Sequence, residues 1–272
     1  MKRIGIITAL LLCVSTVALG QNGKKAGKNL LKTLYGLQHV GDARWLSVYD
    51  SIAHRAVDQL LAENRGNKIF AGKEWFCYEL DNKKEWHAIF GRYENDRMNV
   101  AAHYRIDSLH GIQLVVDPID SALFDTYARA LLTASKRFEK TKKTSGLQFQ
   151  HYIKRESDGQ FKVWYLLSDQ ANGLAVYGEE FVYTISADGT RVTQNDSYCQ
   201  QVRYFDEKVR QDTSIQFVLQ YPSVKYPTVG GVFFLYKYSR IIPKCMLETK
   251  EVQISLQKQP GGKVQVNYNI NP

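Results

Sequence analysis

His87 and His103 are the residues whose types and spacing come nearest to chemistry. The segments 85–91 and 98–106 read as antiparallel strands, and a register in which 93 meets 97 sets the two imidazoles directly opposite. Opposed residues hold their Cβ atoms about 4.5–5.5 Å apart, close enough for two imidazoles to share a transition metal. Glu85 and Tyr78 are expected as neighbours on the same face. A catalytic zinc takes three protein ligands and keeps one position open, and spacing places only two here. The pair is therefore a candidate catalytic or metal site. The competing expectation is two structural histidines on a half-exposed sheet face, covered by another element. Other chemistry is poorly represented. The chain contains no GxSxG elbow, phosphate loop, dinucleotide fingerprint, EF-hand or HExxH. Cys77 falls among tryptophans, where a thiol is inert and buried.

The histidines depend on a meander. From Glu74 the apolar period is two, and 74–80, 85–91 and 98–106 read as three strands with turns at Asp81–Lys84 and around Glu94–Asp96. Pairing 80 with 85 and 93 with 97 puts Trp75, Cys77, Trp86, Ala88, Phe90, Val100, Ala102 and Tyr104 on one apolar face. Before the meander, the leucines of 30–37 predict a short helix ending near Gly41. A longer one follows, with Trp45, Tyr49, Ile52, Ala56 and Leu60 on one stripe and Gly66-Asn67 as its stop. After the meander, Asp120 or Ser121 caps a helix with Leu123, Phe124, Tyr127, Ala130, Leu131, Ala134 and Phe138 at helical spacing. Strands are then expected at 147–154, 160–167, 180–186, 190–194, 214–221, 231–238, 246–256 and 263–270, with hairpin turns at Glu156–Gly159 and Ala187–Gly189. Without regular βαβ alternation the class is α+β: N-terminal helices, a three-stranded antiparallel meander, one long amphipathic helix, and a mostly antiparallel, strand-rich C-terminal half. Residues 30–143 and 144–272 form two regions, or one continuous domain.

The first twenty residues read as a cleavable Sec signal. Lys2 and Arg3 precede the apolar stretch Ile4–Leu12, and Ala18-Leu19-Gly20 offers the small residues that signal peptidase accepts before Gln21. Leu12, directly before Cys13, does not fit a lipobox. The core is too short for a bilayer-spanning helix of about 20 residues, and no later stretch reaches that length. Export to the periplasm or medium is expected, with a polar, mobile terminus over 21–29. Losing Lys2 and Arg3 takes the formal charge from +9 to +7. The basic residues are scattered, and the densest run, Lys136, Arg137, Lys140, Lys142 and Lys143, sits at a helix end where cations oppose the negative end of the dipole. With no nucleic-acid-binding motif present, nucleic acid is not an expected partner.

An oxidising compartment permits one disulfide among Cys77, Cys199 and Cys245, and the pair expected is Cys199–Cys245. Tyrosines crowd the C-terminal half. Tyr204, Tyr221, Tyr226 and Tyr236 are candidate ligand-binding residues, since aromatic faces stack on sugars or build protein-binding surfaces. Ordinary strand propensity also favours tyrosine.

The segment Phe217-Val218-Leu219-Gln220-Tyr221-Pro222, with Tyr226-Pro227-Thr228-Val229-Gly230-Gly231-Val232 after it, resembles the metal-binding stretch of JAB/MPN-type domains. The resemblance covers about residues 214–256. In that family a strand delivers two histidines and an aspartate follows. Here those positions hold Gln220, Pro222 and Gly231, so the resemblance implies a metal-free relative that kept the scaffold and lost the protease.

Together these readings predict an exported, non-enzymatic protein, without cofactor, that binds an envelope protein or glycan-type ligand through its strand-rich half. The competing reading is an envelope hydrolase centred on His87, His103 and Glu85.

Overall fold

The computed structural model describes residues 21–63, 74–80, 85–107, 111–116, 120–142, 146–168, 175–205, 216–238, 244–258 and 264–270. The signal segment, the turn at 81–84, the helix stop at 66–67 and the turn at 260–262 lie outside them.

Helix α1 (Gln21–Ala62) is continuous where a mobile terminus and two helices were expected. A glycine costs about 1 kcal/mol relative to alanine inside a helix, and the helix nonetheless runs through Gly36, which packs against the Tyr268 ring, and through the exposed Gly41. Its buried stripe is Ala43, Leu46, Tyr49, Ile52, Ala53, Ala56 and Leu60, recurring every three or four residues.

The first sheet has the order β1 (Glu74–Leu80), β2 (Glu85–Glu94), β3 (Arg97–Asp107), β4 (Gly111–Leu114). β1 and β2 pair as expected, Cys77 opposite Ala88 and Tyr78 opposite His87. β2 and β3 do not. Asn95 and Asp96 both take positive φ, 52° and 61°, the mark of a two-residue hairpin loop, so Glu94 rather than Tyr93 meets Arg97. A bulge at Phe90/Gly91 then shifts the register again. Gly91 is required there, because a Cβ would run into the backbone carbonyl of Asn99. Trp86, Ala88, Phe90, Ala102 and Tyr104 keep their common face, whereas Val100 moves to the opposite one.

Helix α2 (Ser121–Thr141) is capped by Asp120, whose side chain accepts the Leu123 N–H at 3.1 Å. The second sheet is the meander β5 (Phe149–Arg155), β6 (Phe161–Leu167), β7 (Ala175–Ile185), β8 (Val192–Phe205). It lies beside the first, and His151 Nε2 donates to the Trp75 carbonyl at 2.7 Å across the seam between β5 and β1. The two long helices cross this seam on opposite faces. On one face Trp45 of α1 packs between Trp86 and Trp164, at ring distances of 5.4 and 6.2 Å. On the other, α2 stacks Tyr127 on Phe76 at 5.0 Å and Phe138 on Tyr165 at 4.1 Å. Two cores result, and each draws residues from both sides of position 144.

The third sheet has the order β12 (Val264–Ile270), β11 (Val252–Lys258), β10 (Lys244–Thr249), β9 (Gln216–Tyr221). β9 and β10 are parallel, joined through helix α3 (Val229–Tyr238) where a strand was expected. A short continuous apolar run does not distinguish a strand from a buried helix by period alone. Thr228 decides the outcome: its hydroxyl accepts the Gly231 N–H at 3.1 Å and its carbonyl the Val232 N–H at 3.1 Å. The strand expected over 246–256 is broken in two at Thr249, whose hydroxyl accepts the Val252 N–H at 3.0 Å. No helix among the described residues is long and apolar enough to cross a membrane.

Candidate functional site

The corrected register leaves His87 opposite Arg105 and His103 opposite Ile89, so the imidazoles are diagonal neighbours on one face rather than directly opposed. They still meet. His87 Nδ1 lies 2.7 Å from His103 Nε2, and His87 Nε2 lies 2.9 Å from Glu85 Oε1. A carboxylate only accepts, which puts a proton on His87 Nε2; in the neutral ring its Nδ1 is then the acceptor. His103 Nε2 then donates, and His103 Nδ1 is left as a buried acceptor with no partner. Tyr78 stacks on His87 at 4.9 Å, and Phe124 of α2 meets His103 edge-on at 5.4 Å. Both histidines are sealed, at 7% and 6% exposure. Burial, helped by the neighbouring His87, pushes the His103 pKa down to about 4. Both nitrogens of His87 are therefore engaged in a linear chain. Among the described residues no group of three His, Cys, Asp or Glu side chains converges as metal ligands would. The arrangement is a buried hydrogen-bonded strut beneath α2.

The candidate tyrosines do not form one binding face. Tyr221 is 3% exposed and packs edge-on to Tyr177 at 5.4 Å. Tyr226 and Tyr236 are half-buried against the first core. Tyr204, on β8, is 56% exposed. Cys77 is a buried thiol whose pKa burial raises, and its N–H donates to the Tyr49 hydroxyl at 2.8 Å. Cys245 is a buried thiol pushed up to about 12 by burial. The Cys199 side chain lies outside the described residues. Gln220 bonds Glu248 at 3.4 Å between β9 and β10, and Gly231 sits in the first turn of α3.

A polar cleft of about 630 Å³ opens elsewhere, on the α1-facing side of the second sheet. Alternation and register build it in rows across the strands. Lys154, Lys162, Thr184 and Gln194 form one row, and Trp164, Val182 and Asp196 the next, with Glu180 and Tyr198 beyond. Lys154 and Lys162 stand directly opposite, which like charges tolerate only with a counterion. Asp42 of α1 supplies it, bonding Lys154 Nζ at 3.1 Å and Lys162 Nζ at 3.2 Å. Burial works against the Lys154 charge, but Asp42 and Glu156 hold its pKa above the ordinary value. His39 closes the α1 side, its Nδ1 donating to the Pro227 carbonyl at 2.6 Å.

Glu180 is the most confined charge-bearing group of the wall, at 3% exposure. Its Oε1 accepts the Gly230 N–H of α3 at 2.9 Å, while Oε2 makes no hydrogen bond of normal geometry. A Cβ at Gly230 would fall 2.6 Å from Oε2, so only glycine lets the helix approach this carboxyl. Burial pushes Glu180 up to about 7, against the opposing pull of Thr228, Gly230 and Lys162. Trp164 Nε1, on the same wall, is also buried without a partner.

Reading the sequence missed this cleft because α1 and four strands converge on it from positions about 120 to 160 residues apart. One signal was present: Glu180 alternates with Val182 on the α1-facing side of a strand that is apolar around them. Comparison of the chain with protein-family models, curated proteins and solved structures finds no match.

Proposed function

We propose that this chain is an exported envelope protein that binds a polar, glycan-type ligand in the cleft between α1 and the second sheet, without catalysing a reaction on it. The observation that carries this reading is the cleft itself. Its volume of about 630 Å³ falls within the range of small-molecule sites, and its walls combine amide, hydroxyl and charged groups on a rigid sheet. The histidine chain supports the non-enzymatic side, since its nitrogens are either engaged or buried beneath α2. A polar site built on strands rather than loops is pre-organised, which lowers the entropy lost on binding.

Export follows from the signal features of residues 1–20, and N-terminal sequencing of the protein recovered from the envelope fraction is expected to begin at Gln21. Binding is tested by thermal shift of residues 21–272 against soluble envelope glycans and their oligosaccharide fragments. A ligand that binds only the folded state at a hundredfold excess over its Kd stabilises by about 2.7 kcal/mol, a shift of several degrees. If no fragment moves the transition, this reading falls.

A further inference from the structure

The cleft is acidic although the chain is basic. Asp42, Glu156, Asp158, Glu180 and Asp196 line it against Lys154 and Lys162, while the whole chain carries a formal charge of +9. Both lysines are already turned onto Asp42, and Lys154 also reaches Glu156 at 3.3 Å. Asp158 and Asp196 bond neutral neighbours, Gln160 and Gln194 with the backbone of Gln160. Two further atoms of the same wall make no hydrogen bond of normal geometry: Glu180 Oε2, on a carboxyl that the Thr228 hydroxyl and the Gly230 N–H already pull on, and Trp164 Nε1, a donor. Trp164 faces Val182 and Leu166 faces Glu180, so Trp164 and Glu180 are diagonal neighbours on one side of the sheet. A buried polar atom without a partner carries an uncompensated desolvation cost, which a ligand that bonds to it recovers.

We propose that the cleft recognises an amino sugar, a polyhydroxylated ring carrying a protonated amine. The ammonium is held by Glu180 and Asp196, and a ring or hydroxyl oxygen accepts from Trp164 Nε1. The inference rests on the cleft being the binding site, as proposed above, and adds the ligand's charge and hydrogen-bonding character. An anionic ligand would meet five carboxyl groups, with both lysines already committed to Asp42. A polyamine brings donors but nothing to accept from Trp164. A neutral sugar leaves the acidic excess unanswered.

The test is isothermal titration of residues 21–272 at neutral pH with three probes: a glucosamine tetramer, the N-acetylglucosamine tetramer, and spermidine. The glucosamine tetramer is expected to bind at least about tenfold more tightly than either of the others, a difference of roughly 1.4 kcal/mol. Glu180→Gln and Asp196→Asn, both near-isosteric, are each expected to weaken it by a similar factor, and raised salt to weaken it further. Equal affinity for the acetylated tetramer overturns the charge inference and leaves the cleft reading standing. Spermidine binding as tightly as the glucosamine tetramer overturns the sugar part. Indifference to both substitutions overturns the assignment of Glu180 and Asp196. No oligosaccharide binding removes the cleft reading itself.

Discussion

Glu180 Oε1 accepts the Gly230 N–H at 2.9 Å, tying the second sheet to the first turn of α3 through a carboxyl that is 3% exposed. The bond places a partial positive helix terminus against an acidic side chain that burial has made hard to ionise.

A pH dependence follows. The folded pKa of Glu180 is about 7, raised from an ordinary 4.5. Its contribution to stability is therefore fully present below pH 4.5 and lost as pH rises through 7. Glu180→Gln keeps the acceptor for Gly230 and removes the ionisation. The variant is expected to be more stable than wild type at alkaline pH by up to about 3 kcal/mol, from roughly 1.4 kcal/mol for each tenfold change in the acidity constant. The gain vanishes toward pH 4. Denaturant unfolding across pH checks this, and a constant difference between the two proteins would contradict it.

His103 works in the opposite direction. Its folded pKa is about 4, depressed from 6.5, so its contribution is present above pH 6.5 and lost as pH falls toward 4. His103→Gln retains an N–H donor for His87 Nδ1 and removes the titration. The wild type is expected to lose up to about 3 kcal/mol over that window that the variant does not lose. Because the Glu180 and His103 windows overlap, the comparison is best made in a Glu180→Gln background.

Asp42 between Lys154 and Lys162 gives a third prediction. Asp42→Ala leaves two ammonium groups face to face across β5 and β6. A loss of about 1–3 kcal/mol is expected, below the cost of breaking a fully buried pair because both lysines retain some exposure. Lys162→Met in the same chain restores part of it, and a double-mutant cycle by thermal unfolding reads the coupling. Additive effects would show that Asp42 does not bridge the two.

Much of this architecture was legible from period and turn chemistry. The β1–β2 register, the α2 stripe and its Asp120 cap, and the hairpin turns at Glu156–Gly159 and Ala187–Gly189 follow from local rules. The misses have physical causes. Asn95 and Asp96 fit a two-residue loop, and taking them as a longer turn moved every pair of β2 with β3. Gly91 signalled a bulge that alternation alone does not reveal. Residues 229–235 form an unbroken run of apolar residues and glycines, so period offers no discrimination and the Thr228 cap marks the helix. His87 and His103 were rightly brought together, but the α2 residue that covers them, Phe124, is remote in sequence and turns an open pair into a sealed one. The cleft was illegible for the same reason, because Asp42, Lys162, Glu180 and Asp196 become neighbours only after α1 docks on the finished sheet.

Thr184 offers the most direct test, since it sits in the cleft on the central strand β7, between Lys162 of β6 and Gln194 of β8. Thr184→Trp fills the cleft with a residue that strands tolerate well. Titration of the oligosaccharide that binds wild type best is expected to show binding lost in this variant while its melting temperature stays within a few degrees of wild type. Unchanged affinity in a folded Thr184→Trp protein would place the ligand elsewhere and contradict the assignment of the cleft.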